Sequence, residues 1–88
     1  MYTVIETPVY TGKVERILTD DEGEGFAVFI AQNPMAGSVV RGSGGVRNVR
    51  WAQKGRGEIW LLTIYAKTDR SNIPAYELKL IKEVIDRD

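Results

Sequence analysis

The apolar positions of this chain change rhythm along its length, and each change marks an element. Residues 2–6, Tyr-Thr-Val-Ile-Glu, alternate weakly and carry β-branched side chains, which predicts a short strand. Thr7-Pro8 then reads as an N-cap followed by proline at the first helical position. Behind it, Tyr10, Val14, Ile17 and Leu18 recur at helical spacing and predict an amphipathic helix over residues 8–18. Gly12 weakens that helix by roughly 1 kcal/mol relative to alanine. Thr19-Asp20-Asp21-Glu22 fits a capping box, in which the threonine accepts from the Glu22 amide while the glutamate reaches back. A second helix should run from there to about Asn33, with Phe26, Phe29 and Ile30 as its inward stripe. Asn33-Pro34 stops it, because proline disfavours helix at the residue before it. With almost no loop between them, the two helices are expected to form an antiparallel hairpin.

Residues 34–45 are rich in glycine and read as a loop, with a short extended piece at Val39-Val40. From Val46 to Ala52 the period is two. Asn48 and Arg50 share one face, expected to be open, and Val49 and Trp51 share the other, expected to meet the helices. Lys54-Gly-Arg-Gly57 is a turn. Ile59-Trp-Leu-Leu-Thr-Ile-Tyr-Ala66 is apolar on both faces, which predicts a central strand. Strict alternation along it puts Thr63, Tyr65 and Lys67 on one face and Trp60, Leu62, Ile64 and Ala66 on the other. Residues 68–73 are a polar turn. A last helix from Pro74 to about Asp86 should start near a cap at Ser71 or Asn72. Leu78, Ile81 and Ile85 fall on its inward side, and Lys79 and Glu83 are spaced to pair on the outer side.

Composition narrows the chemistry. At 88 residues the chain is expected to be one domain with a modest core. It has no cysteine and no histidine. That excludes a disulfide framework, a thiolate metal site, and Ser-His-Asp or Cys-His catalysis, and it argues against a zinc enzyme or any bound metal or cofactor. Residues 1–6 have neither the basic flank nor the apolar core of a signal peptide, and no apolar run approaches a membrane span. The expected location is therefore the cytoplasm.

Formal charge sums to zero, yet it is segregated. Residues 41–56 hold Arg41, Arg47, Arg50, Lys54 and Arg56 and no acid, whereas residues 19–25 hold Asp20, Asp21, Glu22 and Glu24 and no base. Such asymmetry suggests a basic face for an anionic partner. Acids at a helix start need no further cause. An open sheet face bearing Asn48, Arg50, Tyr65 and Lys67, with Lys54 and Arg56 at its rim, suits RNA. Cationic groups neutralise phosphate, and an aromatic ring stacks on an unpaired base. RNA cleavage requires neither histidine nor metal when basic groups stabilise the scissile phosphate, the RNA supplies its own 2′-hydroxyl, and a lysine or tyrosine moves the proton. The same residues also serve a plainer end, keeping a sheet face soluble.

Two stretches together, Val40-Arg-Gly-Ser-Gly-Gly-Val-Arg-Asn-Val-Arg-Trp51 and Leu61-Leu-Thr-Ile-Tyr-Ala-Lys67, resemble the RelE/ParE superfamily of bacterial toxins. The resemblance is nearest to the HigB-like branch of type II toxin–antitoxin systems. It implies an α+β fold in which an N-terminal strand and helical hairpin pack on a small antiparallel sheet closed by a C-terminal helix. It implies a metal-independent endoribonuclease that cleaves mRNA on the ribosome, inhibits translation and is held inactive by a cognate antitoxin, commonly of helix-turn-helix type. A gyrase-directed action of the ParE kind is an alternative, because fold does not fix target. Carried over by position, Arg50, Lys67 and Tyr65 become the catalytic candidates. Arg47, Asn48, Lys54, Arg56, Arg70 and Tyr76 become the RNA-binding candidates.

The chain departs from that pattern at one join. HigB-like proteins follow the basic loop with a further strand that starts Gly-Gly-x-Arg and carries the arginine usually considered central to cleavage. Here Lys54-Gly-Arg-Gly57 runs straight into Glu58-Ile-Trp60. About one strand and a turn is absent, which opens a second alternative: a catalytically impaired toxin-like protein that binds only an antitoxin or itself. The gap has two repairs. Residues 46–53 and 58–66 form a direct hairpin across Lys54–Gly57, or a second copy fills the vacancy through an exposed sheet edge. The hairpin is the expected one.

Overall fold

The structure, a computed structural model, describes residues 1–40, 42, 44–66 and 73–87. It is α+β. Strand β1 (Thr3–Glu6) is followed by helices α1 (Pro8–Ile17) and α2 (Asp20–Gln32). Then come β2 (Arg47–Gln53), a 3-10 turn (Lys54–Arg56), β3 (Glu58–Tyr65) and α3 (Ala75–Arg87). The three strands form one sheet in the order β1-β3-β2, so the most apolar strand is central. The sheet is mixed, not antiparallel as expected. β2 runs antiparallel to β3, but β1 lies parallel to it, Thr3 opposite Glu58 and Glu6 opposite Leu61. The reason is connectivity. β1 reaches β3 only by way of α1, α2 and β2, and such a crossover, unlike a tight hairpin, can deliver parallel neighbours.

β2 and β3 join directly, as the first of the two repairs requires. The 3-10 turn ends at Gly57, whose φ of 66° is left-handed and suits a residue without a Cβ. The ladder then slips once. Val49 pairs with Thr63 but Arg50 pairs with Leu61, so Leu62 is an extra residue on β3. This bulge reverses the facing of everything beyond it. Leu61 and Ile64, on opposite faces under strict alternation, therefore both enter the core beside Ile59. Tyr10 and Leu18, Phe26 and Ile30, and Val40 and Val46 complete that core. Val46, just before β2, belongs to it and Ala52 of β2 packs against it, so β2 presents its even-numbered face inward. The expectation that Val49 and Trp51 face the helices is thus reversed.

The helices start much as their sequences imply. Thr19 caps α2 with both halves of the capping box in place: its hydroxyl accepts from the Glu22 amide at 3.2 Å, and Glu22 Oε1 accepts from the Thr19 amide at 2.8 Å. Thr7 behaves differently. It occupies the N-cap position of α1, but its hydroxyl donates to the carbonyls of Leu61 (2.9 Å) and Leu62 (3.2 Å). β1 has ended at Glu6, and the next residue continues its pairing: the Thr7 amide donates to the Leu61 carbonyl at 3.2 Å and the hydroxyl adds a second donor. The cap residue became a clasp between α1 and β3.

α3 is fixed by polar as well as apolar contacts. Glu77 is 3% exposed, and its Oε1 accepts from Thr63 Oγ1 at 2.7 Å and from Lys13 Nζ at 3.1 Å. Ile81 is buried beside it along the helix, while Leu78, expected inward, is 51% exposed. Ile81 thus lies inward as expected and Ile85 is half-buried, but the turn before them brings Glu77 inward in place of Leu78. The expected cap at Ser71 or Asn72 lies outside the described residues.

Candidate functional site

The loop after α2 runs along the outer edge of β2. Val40 donates its amide to Val46, and Asn48 donates its amide to the Ser38 carbonyl, which stitches a short bridge onto the first half of the strand. Asn48 adds a side-chain bond, Nδ2 to the same Ser38 carbonyl at 2.7 Å. At 3% exposure Asn48 is buried, not displayed on an open face as expected.

Arg50 is half-buried and turned toward the same loop. Its Nε and Nη2 donate to the Pro34 carbonyl at 3.3 and 3.2 Å, Nη1 donates to Gly37 at 3.3 Å, and Nη2 also donates to Ala36. Nη1 further donates to Asn48 Oδ1 at 2.9 Å. Every nitrogen of the guanidinium is engaged. Burial lowers its pKa from the ordinary arginine value, though an arginine remains charged at neutral pH. The physical logic is local. The carbonyls just beyond α2 have no amide partners within the helix, and an inward-facing arginine on the adjacent strand gathers them.

Around these groups lies an open hollow of about 450 Å³, lined by Pro34, Ala36, Asn48, Val49, Arg50 and Tyr65 among others. The structure thus brings three expected site residues, Asn48, Arg50 and Tyr65, to one place. Arg47 pairs with Tyr65 across the ladder but is not among the residues lining the hollow, since it alternates to the face opposite Asn48 and Arg50. Lys54 and Arg56 are exposed in the 3-10 turn at the far end of the hairpin. Seven strand positions separate Arg47 from Lys54, roughly 23 Å, so the two basic groups do not share one phosphate. Tyr76 is 71% exposed on α3. Lys67 and Arg70 lie outside the described residues.

Sequence reasoning missed the loop carbonyls, because backbone acceptors carry no residue signature. It also missed the tilted pair of Trp51 and Trp60, whose ring centroids are 6.2 Å apart across the hairpin. Alternation placed the two rings on separate strands, but only the register sets them opposite each other. The site can do two things chemically. Its Arg47–Tyr65 end offers a cation and an aromatic ring to an incoming group, while its Arg50–Asn48 end is already saturated by the protein's own backbone. No family model matches the chain.

Proposed function

We propose that this chain is a toxin-type component of a type II toxin–antitoxin pair, built on a RelE-like scaffold, that works by binding its antitoxin and not by cleaving mRNA. The observation that carries the reading is the Arg50 guanidinium, whose nitrogens are all committed to Pro34, Ala36, Gly37 and Asn48. A group that stabilises charge on a scissile phosphate needs free, preorganised donors. The direct β2–β3 hairpin supports the same conclusion, since it closes over the place where the resembled toxins carry their central arginine. What remains is a folded scaffold with a basic edge and a cytoplasmic setting.

The test is induced expression, alone and together with the product of the adjacent open reading frame. Expected is unimpaired growth, intact translated mRNA and co-purification of the two proteins. Growth arrest with mRNA cleavage, relieved by the neighbour, would overturn the binding reading and restore the ribosome-dependent endonuclease. The side-by-side Arg47 and Tyr65 favour that second reading, because together they supply a phosphate contact and a stacking or proton-transferring ring. DNA damage without mRNA cleavage would point instead to gyrase.

A further inference from the structure

The sheet has a second face. Val4, Ala52, Ile59 and Leu61 pack toward the core, so alternation turns Ile5 of β1, Trp60 of β3, and Arg47 and Trp51 of β2 the other way. The register aligns Ile5 with Trp60 and Trp60 with Trp51, and one apolar row crosses all three strands. Each of the three is half-buried. The two indoles meet at 46° with centroids 6.2 Å apart, which makes an angled surface and not a flat platform.

Hydrogen bonding divides groups that otherwise look alike. Trp60 Nε1 donates to Glu58 Oε1 at 3.3 Å, which fixes that ring. The Trp51 indole N–H has no acceptor among the described residues. Since no buried side-chain donor goes unpaired among them, this one reaches solvent. The two arginines of β2 divide the same way. Arg50, on the inward face, gives its donors to the loop after α2 and to Asn48. Arg47, half-buried on the outward face, makes no hydrogen bond or ion pair among the described residues.

A free indole donor and a free guanidinium thus share one face of one strand. They stand four positions apart, roughly 13 Å. Angled aromatic rings with an outward N–H suit a polyproline II segment, whose proline packs on the rings and whose carbonyls have no internal partners. Four residues in that conformation cover about 12 Å, so an acid four positions from the proline reaches Arg47 and can pair with both arms of its fork. At the turn end the charge is mixed, Lys54 and Arg56 with Glu58, and makes no such demand. Single-stranded nucleic acid is the competing ligand for aromatic rings near cations. It stacks on open rings and brings a phosphate at every step, whereas these rings are half-buried and a carboxylate lies against one of them.

We propose that the outward face of the β2–β3 hairpin docks an extended, proline-containing segment of a partner protein. A proline packs against Trp51 and Trp60, a carbonyl of the segment accepts from the Trp51 N–H, and an acidic residue pairs with Arg47. The site lies on the face of β2 opposite Arg50, so the inference stands apart from the antitoxin reading and survives or fails separately.

Both tryptophans of the chain belong to the site, so their emission reads it directly. The full chain is titrated at low salt with a blocked peptide that has two central prolines and a glutamate four residues away. Comparison ligands carry alanines for the prolines or glutamine for the glutamate, and a fourth is a single-stranded oligothymidylate. Expected is a saturable change in emission with the first peptide, with the alanine peptide at least about fivefold weaker and the glutamine peptide about tenfold weaker. Trp51→Phe, which keeps a ring and removes the donor, should weaken the first peptide about fivefold. Arg47→Gln should weaken it about tenfold yet leave the glutamine peptide unchanged, as a coupled pair requires. Lys82→Gln, on the exposed side of α3, should bind as the parent does. The proposal is overturned if the first peptide does not bind, if the alanine peptide or the oligothymidylate binds as tightly, or if Arg47→Gln weakens both glutamate and glutamine peptides alike. Circular dichroism of each variant separates lost binding from lost folding.

Discussion

Arg50 illustrates how a side chain can look functional and be structural. Its residue type, its strand and its neighbours in sequence all suggest phosphate recognition, yet its donors close the loop after α2. Removing the guanidinium by Arg50→Met should leave the Pro34, Ala36 and Gly37 carbonyls short of partners and cost about 2 kcal/mol. Arg50→Lys should recover only part of that, because one ammonium does not span the fork. Urea unfolding of the two variants checks both outcomes; unchanged midpoints would mean the loop does not depend on Arg50. Tyr10 gives the second residue-scale prediction. Burial first, and Glu6 second, raise its pKa well above the ordinary 10.0. The folded state therefore holds this proton more tightly than the unfolded state. The resulting stability is complete below about pH 10 and is lost as pH rises further, since the unfolded chain gains by ionising. Phenolate absorbance should show one of the four tyrosines titrating last and together with unfolding, and Tyr10→Phe should flatten the alkaline loss.

At the scale of elements, most of the architecture was legible because local chemistry and periodicity agreed. The capping box at Thr19 is read from four letters and found bond for bond. Thr19→Ala should cost about 1 kcal/mol, seen as a lower urea midpoint. The central placement of β3 follows from its two apolar faces. What sequence did not show were consequences of register. The bulge at Leu62 moves Ile64 to the core face and has no signature in Leu-Leu-Thr-Ile. The inward face of β2 was misassigned because Asn48 and Arg50 are polar, and their partners are backbone carbonyls some ten to sixteen positions away. On α3 Ile81 was placed correctly and Leu78 was not, for the same kind of reason: Glu77 is buried in its stead because Lys13 and Thr63 await it. That cluster is open to a double-mutant cycle. Lys13→Met alone leaves a buried carboxylate without its cation and should destabilise by about 2 kcal/mol, whereas Lys13→Met with Glu77→Leu should restore a good part of the loss. Additive losses in denaturant unfolding would show the pair to be incidental.

For the whole molecule, charge follows geography. Glu6, Glu15, Asp20 and Glu24 line the cleft between the two N-terminal helices, while the described basic residues of β2 and the 3-10 turn lie along the hairpin. A neutral total thus conceals two surfaces of opposite sign, each suited to a different partner. The candidate nuclease site was only partly legible: Asn48, Arg50 and Tyr65 do gather, but Lys54 and Arg56 are carried to the other end by strand length, a distance that spacing in sequence does not convey. If the chain nevertheless cleaves mRNA, Tyr65→Phe and Arg47→Ala should each relieve growth arrest, while Lys54→Ala should matter less.

The parallel pairing of β1 with β3 bears on how the protein is made. The hairpin of β2 and β3 closes across the short turn Lys54–Gly57, whereas Thr7 meets Leu61 at a separation of 54 positions. Loop closure over that span is costly and comes late, after local pairing has given it something to dock on. During synthesis β1 emerges long before β3, its one sheet neighbour among the described residues, exists. Residues 3–6 thus have no strand to pair with until Glu58–Leu61 have been made.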